Sequence, residues 1–288
     1  MRALLALSLT LAAACSSNSS APAGLTKHSV DFDGARVVYS ELGGGDEALV
    51  FVHGWACDRS VWDEQMRAVG TRHAIAVDLP GHGESGLPNA TMTMDLYARS
   101  IAAVLDAAHV QRAVLVGHSN GTPVARQFYR LYPQRTAGLV AVDGALRAFF
   151  DDPKDAEPLL EPLRGPDYLA NATKFVDRLL PPTATRAHRD HIRSVMLATP
   201  QRTMVEGMQA ALDPAIWRED VIEVPVLVVL ARSPFWDKGY ENFVRGLCPD
   251  VEYYTLDGVS HFLMLDKPAD FNALLANFLN LKRIAPPQ

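Results

Sequence analysis

The pentapeptide Gly117-His118-Ser119-Asn120-Gly121 follows directly on the apolar run Ala113-Val114-Leu115-Val116 and leads into a helical pattern from Pro123 to Leu131. A residue forced into so sharp a strand-to-helix turn needs neighbours without a Cβ two positions away on either side, and glycine stands at both. Such a turn sets the Ser119 hydroxyl above the end of a strand and at a helix N-terminus, where the backbone field favours negative charge. A chain organised around this junction is expected to carry a parallel sheet whose strands feed helices.

The rest of the chain keeps the same rhythm. Short runs of Val, Ile, Leu and Ala predict eight strands, at Ser29 to Phe32, Ala35 to Glu41, Ala48 to Val52, His73 to Val77, Ala113 to Val116, Gly138 to Val142, Val226 to Leu230 and Glu252 to Leu256, the first pair antiparallel. Between them, helical patterns run over Arg59 to Val69, Met94 to Ala108, Pro123 to Leu131, Tyr240 to Leu247 and Pro268 to Leu279. In the second of these, Leu96, Ile101, Val104, Leu105 and Ala108 form one apolar stripe at helical spacing. From Asp143 to Pro225 the strand rhythm stops, and helical patterns recur around Tyr168 to Leu180, Thr185 to Leu197 and Thr203 to Leu212. A compact domain does not leave so long a stretch without structure, so residues 144–220 read as a helical cap, with residues 27–143 and 221–288 forming the core.

The N-terminal residues read as an export signal rather than part of the fold. Met1-Arg2 is positive, and Ala3 to Ala14 is apolar but shorter than the roughly 20 residues of a membrane span, which makes residues 1–14 a signal peptide. Leu11-Ala12-Ala13-Ala14-Cys15-Ser16-Ser17 resembles a bacterial lipoprotein cleavage box, in which the cysteine is lipidated and becomes the mature N-terminus. Leu11 lies one residue farther from Cys15 than in most such boxes, and simple secretion after nearby cleavage is the other reading. Residues 15–26, rich in Ser, Asn, Pro and Gly, read as a flexible tether. The expected location is the periplasmic face of a bacterial membrane, held only by a lipid on Cys15, or outside the cell.

A formal charge of -6 gives no electrostatic reason to expect nucleic acid or an anionic membrane surface as a partner, and a small-molecule substrate fits better. A hydrophobic fraction of 48% is that of a chain with a substantial core. Cys57 and Cys248 read as two buried free thiols, pairing in an oxidising compartment being the alternative. No cysteines have metal-ligand spacing, and His188 and His191, with Asp190 between them, read as solvated.

Four segments occur in an informative order: Val50-Phe51-Val52-His53-Gly54-Trp55, then Val77-Asp78-Leu79-Pro80-Gly81-His82-Gly83-Glu84-Ser85, then the Ser119 turn, then Gly258-Val259-Ser260-His261-Phe262. In order and spacing they resemble the α/β-hydrolase superfamily, over Ser29 to about Leu281. The resemblance implies an eight-stranded, mostly parallel sheet with helices on both faces and an inserted helical cap. It also implies that Ser119 is the nucleophile, that the backbone N–H groups of Trp55 and Asn120 form the oxyanion hole, and that His53 shapes a turn. His261, in the loop between the last strand and the last helix, is then the base.

The acid of the triad departs from the usual pattern. Most of the family place an aspartate just after the seventh strand, where this chain reads Leu230-Ala231-Arg232-Ser233-Pro234-Phe235-Trp236-Asp237. Two carboxylates compete: Asp237, several residues late in that loop, and Asp143, at the end of the sixth strand, which the family's strand order sets beside the nucleophile's strand. Asp143 is the preferred partner of His261. Certain haloalkane dehalogenases resemble this arrangement.

The expected chemistry is two-step acyl transfer on a carboxylic ester, without metal or organic cofactor. Trp55, Phe149, Phe150, Phe235, Trp236, Phe262 and Met264 flank the relevant loops and suggest an apolar pocket, though each also fits an ordinary core. A serine at the turn disfavours epoxide-hydrolase and dehalogenase chemistry, which use an aspartate there. Perhydrolase, lactonase, C–C hydrolase and acyltransferase activities stay open, as does a non-catalytic ligand-binding lipoprotein on the same fold. The oligomeric state is not encoded in any motif.

Overall fold

A computed structural model describes residues 22–150, 152–180 and 184–287. The signal peptide, Cys15 and most of the expected tether lie outside the described residues.

Eight strands form one sheet: β1 (Thr26–Phe32), β2 (Ala35–Leu42), β3 (Glu47–Val52), β4 (Ala74–Val77), β5 (Arg112–His118), β6 (Thr136–Val142), β7 (Val226–Ala231) and β8 (Val251–Leu256). Their spatial order is β1-β2-β4-β3-β5-β6-β7-β8. β1 and β2 pair antiparallel, β2 pairs antiparallel with β4, and every other neighbouring pair is parallel. β3 to β7 are almost wholly buried because helices cover both faces, which is why they read as continuous apolar runs.

The alternation of side chains divides the core in two. Val50, Val52, Ile75, Val77 and Leu115 point to one face and pack with α2 (Met94–Ala107), α3 (Gly121–Leu131) and α8 (Lys238–Leu247). Leu49, Phe51, Val114, Val116, Val140 and Val142 point to the other, against α1 (Asp63–Ala68) and α10 (Pro268–Lys282). The short helix α9 (Leu263–Asp266) precedes α10. The sheet therefore separates two apolar layers, and its strand ends hold the loops at one edge.

Between β6 and β7 lie α4 (Glu157–Arg164), α5 (Tyr168–Leu179), α6 (Arg186–Leu197) and α7 (Gln201–Leu212). Leu163, Ala172, Val176, Ile192, Met196 and Met204 are buried and join the second apolar layer. α4 has no counterpart among the helical patterns read above, since Pro158 in its first turn and Pro162 inside it interrupt the pattern. The segment expected as one helix from Arg59 to Val69 is a 3-10 turn, Arg59–Trp62, followed by α1.

Candidate active site

Ser119 sits at the tip of β5 with φ of 51°, a left-handed conformation that costs a non-glycine residue about 1–2 kcal/mol. The flanking glycines make the turn possible. A Cβ on Gly117 would lie 2.3 Å from the Gly121 carbonyl oxygen, and one on Gly121 would lie 2.3 Å from that of Val52. The Ser119 N–H continues the sheet ladder by donating to Val142 O at 2.9 Å, and α3 begins two residues later.

The register of β5 against β6 pairs His118 with Val142, so the next residue on each strand, Ser119 and Asp143, occupies neighbouring strand tips. Asp143 also takes a left-handed φ, 43°, and is 6% exposed. Its Oδ2 lies 2.7 Å from Nδ1 of His261, while Oδ1 accepts from the backbone N–H of Ala231 and from the Trp236 indole N–H, each at 2.9 Å. Three partners fix one carboxylate. Asp237 does not reach this site; its Oδ1 accepts from the Tyr240 N–H at 2.7 Å and caps α8.

His261 is half-buried between Asp143 and the residue beside Ser119. The His118 and His261 rings are 4.8 Å apart, and His118 Nε2 donates to the His261 carbonyl at 2.9 Å. That donation fixes the His118 tautomer and leaves its Nδ1 without a partner among the described residues. Burial holds the His118 imidazole well below its ordinary titration range, so it stays neutral.

The loop after β3 closes over the same point. A Cβ on Gly54 would lie 3.1 Å from the Ser119 Cβ, which places the His53-Gly54-Trp55 backbone directly against the serine. Among the described residues the backbone N–H groups of Trp55 and Asn120 take no acceptor, although both residues sit in ordered turns. His53 shapes this loop: its Nδ1 donates to Gly54 O at 2.8 Å and its Nε2 accepts from the Leu79 N–H at 3.0 Å.

α7 covers the loop. The Trp55 indole donates to Met204 O at 2.8 Å, and the Asn120 amide reaches Gly207 O at 3.4 Å. The seven expected pocket residues divide. Phe262 and Met264 belong to the core and Trp55 packs edge-on to Phe175, whereas Phe149 and Phe235 are 59% and 75% exposed. Phe150 and Trp236 lie between, both half-buried, with Trp236 packed on Tyr240 at 4.7 Å. The structural roles of His118 and Trp236 were not read from the sequence, because each is a long-range hydrogen bond that no local pattern announces.

A cleft of about 560 Å³ lies elsewhere, lined by Ser40, Asp58, Arg59, Glu84, Val195 and Thr199 among others. Its charged groups already have partners: Arg59 bonds Asp78, Glu84 and Ser40, Asp58 accepts from Ser60, and Asp63 pairs with Arg67. Among the described residues no cluster of three His, Cys, Asp or Glu could hold a metal ion. Cys57 and Cys248 are both buried and free.

The model of the alpha/beta hydrolase family matches residues 49–274. The chain belongs to the alpha/beta hydrolase family. That span holds the Ser119 turn, the loop after β3, Asp143 and His261. Among curated proteins, the 2-hydroxy-6-oxononadienedioate/2-hydroxy-6-oxononatrienedioate hydrolase of Paraburkholderia phymatum is 29% identical over 272 residues, which is 85% of this chain and 91% of that protein. Among solved structures, the enol-lactonase from Burkholderia xenovorans superposes with a TM-score of 0.78 at 20% identity, over 88% of this chain and all of that one. The esterase from Exiguobacterium antarcticum superposes with a TM-score of 0.77 at 16% identity, over 86% and 97%. At these identities the two structures speak for the fold.

Proposed function

We propose that the chain is a serine hydrolase acting on a small, apolar carboxylic ester through an acyl-enzyme on Ser119. The observation that carries this reading is the Asp143 Oδ2 to His261 Nδ1 contact of 2.7 Å, on the strand tip beside the left-handed Ser119. A carboxylate on Nδ1 fixes the tautomer and leaves Nε2 as the basic atom.

In the first step His261 Nε2 takes the Ser119 Oγ proton as Oγ bonds to the acyl carbon. The carbonyl oxygen becomes an anion and accepts from the Trp55 and Asn120 N–H groups, which have no competing acceptor among the described residues. Collapse breaks the bond to the leaving alcohol, which receives its proton from His261. Water then gives a proton to Nε2, attacks the acyl carbon, and the carboxylic acid leaves as Ser119 Oγ is reprotonated. Asp143 remains ionised and stabilises the imidazolium formed at each step.

Hydrolysis of p-nitrophenyl acetate and butyrate, with Ser119→Ala as control, tests the reading. Turnover that survives in the Ser119→Ala protein contradicts it. Carbon–carbon bond hydrolysis is a second reading, favoured by the likeness to the Paraburkholderia phymatum hydrolase over 85% of the chain. Turnover of a 2-hydroxy-6-oxo-dienoate with no ester turnover selects it.

The export reading is a proposal of the same kind. It rests on the sequence of residues 1–17 and sets the enzyme on the outer side of a bacterial membrane, held by a lipid on Cys15, or in secreted form.

A further inference from the structure

Resting on the assignment of Asp143 as the acid, we infer that Trp236 is a positioning residue that sets which oxygen of that carboxylate meets His261 and how strongly it accepts. The loop after β7, where most of the family carry the acid, here ends in an indole whose N–H donates to Asp143 Oδ1 at 2.9 Å.

Geometry makes the donation directional. Oδ1 already accepts from the Ala231 N–H at 2.9 Å, and the two donors together commit that oxygen. Only Oδ2 is left to face His261 Nδ1, at 2.7 Å. The carboxylate comes from a residue with left-handed backbone, φ 43°, at the end of β6, and both donors come from β7 and the loop after it. Trp236 therefore bridges the strand tip that carries the acid and the loop in which the usual acid would stand.

The indole is itself held from two sides. It packs on Tyr240 at 4.7 Å, and the Tyr240 hydroxyl accepts from the Leu146 N–H at 3.0 Å, which ties α8 to the chain just beyond Asp143. Asp237, next to the indole, caps α8 through the Tyr240 N–H, fixing the helix start against which Trp236 rests.

A donor to a carboxylate disperses its charge and weakens its hold on a neighbouring imidazolium. Removing the indole N–H leaves Oδ1 held by the Ala231 N–H alone and the Asp143 charge more concentrated. The acid limb of kcat/KM then moves to higher pH, because the protonated base is held more strongly and persists further up the pH range.

The test uses the full chain with Trp236→Phe, which keeps an aromatic ring against Tyr240, and Trp236→Ala. For p-nitrophenyl butyrate, Trp236→Phe is expected to lower kcat roughly tenfold with KM within about twofold, and to move the acid limb upward. The low-field proton resonance of His261 Nδ1–H, recorded by NMR without substrate, is expected to move or broaden. Profiles and resonance that superimpose on those of the parent protein overturn the inference and leave Trp236 a packing residue. An equal loss of kcat in Trp236→Phe with an unmoved acid limb and resonance overturns it as well. The resonance needs no turnover, so a parent protein that hydrolyses no ester contradicts the proposed function while the NMR comparison still decides the role of Trp236.

Discussion

His118 Nε2 donates to the backbone carbonyl of His261 at 2.9 Å, joining the residue beside Ser119 to the residue that faces it from the loop after β8. The bond spans four neighbouring strands of the sheet, β5-β6-β7-β8. It ties the His261 backbone to the residue next to Ser119, while Asp143 holds the ring through Nδ1. Replacing His118 by Leu is expected to lower kcat roughly tenfold with little change in KM, since near-attack geometry is lost and substrate contacts are not. His118→Gln, whose amide reaches the same carbonyl, should recover most of the loss. Steady-state kinetics of the two variants check this.

Asp143 and Asp237 make opposite predictions. Asp143→Asn removes the charge that supports the His261 imidazolium and is expected to reduce kcat by roughly 10³- to 10⁴-fold. Asp237→Asn keeps the capping oxygen and removes only the charge at the α8 N-terminus, so kcat should stay within about fivefold while stability falls by roughly 0.3–1 kcal/mol. Parallel turnover and urea unfolding separate the two effects.

The glycines of the turn are tested by Gly121→Ala. Its Cβ would lie 2.3 Å from Val52 O, a backbone atom of β3 that cannot swing aside. The variant is expected to lose about 3 kcal/mol of stability, together with activity. Chemical denaturation monitored by tryptophan fluorescence measures it.

Three buried histidines give the fold an acid limit. Desolvation lowers His53, takes His82 down to about 3 and holds His118 well below the ordinary value. In the unfolded chain each binds a proton near pH 6.5, so below that pH the unfolded state holds more protons and stability falls as pH drops, for His82 down to about pH 3. Each such group contributes a slope of up to about 1.4 kcal/mol per pH unit. Melting temperatures between pH 7.5 and 4.5 should fall, and His82→Gln, which does not titrate, should flatten the fall. An unchanged slope contradicts the assignment.

Much of the fold and of the site is legible in the sequence. Strands β3 to β7 are visible because they are buried on both faces and so carry nearly uninterrupted Val, Ile, Leu and Ala. The Ser119 turn is visible because steric exclusion around Gly117 and Gly121 leaves a sequence mark. Asp143 and Asp237 are both candidate acids in the sequence; the β5–β6 register sets Asp143 beside Ser119, with Oδ2 2.7 Å from His261 Nδ1, whereas Asp237 caps α8. α4 is hidden by Pro158, in its first turn, and Pro162, inside it, which break the helical pattern. The bonds of Trp236 and His118 were not legible at all. They join residues 93 and 143 positions apart, and only the folded sheet defines those distances.

In the proposed reaction Ser119 acts as an activated nucleophile. Intact-mass spectrometry after exposure to a fluorophosphonate tests it most directly, because an unactivated serine does not react. One adduct per chain is expected, located on Ser119 by peptide mapping, absent in Ser119→Ala and strongly slowed in Asp143→Asn. A parent protein that stays unmodified, or one labelled at another residue while Ser119 remains free, would contradict it.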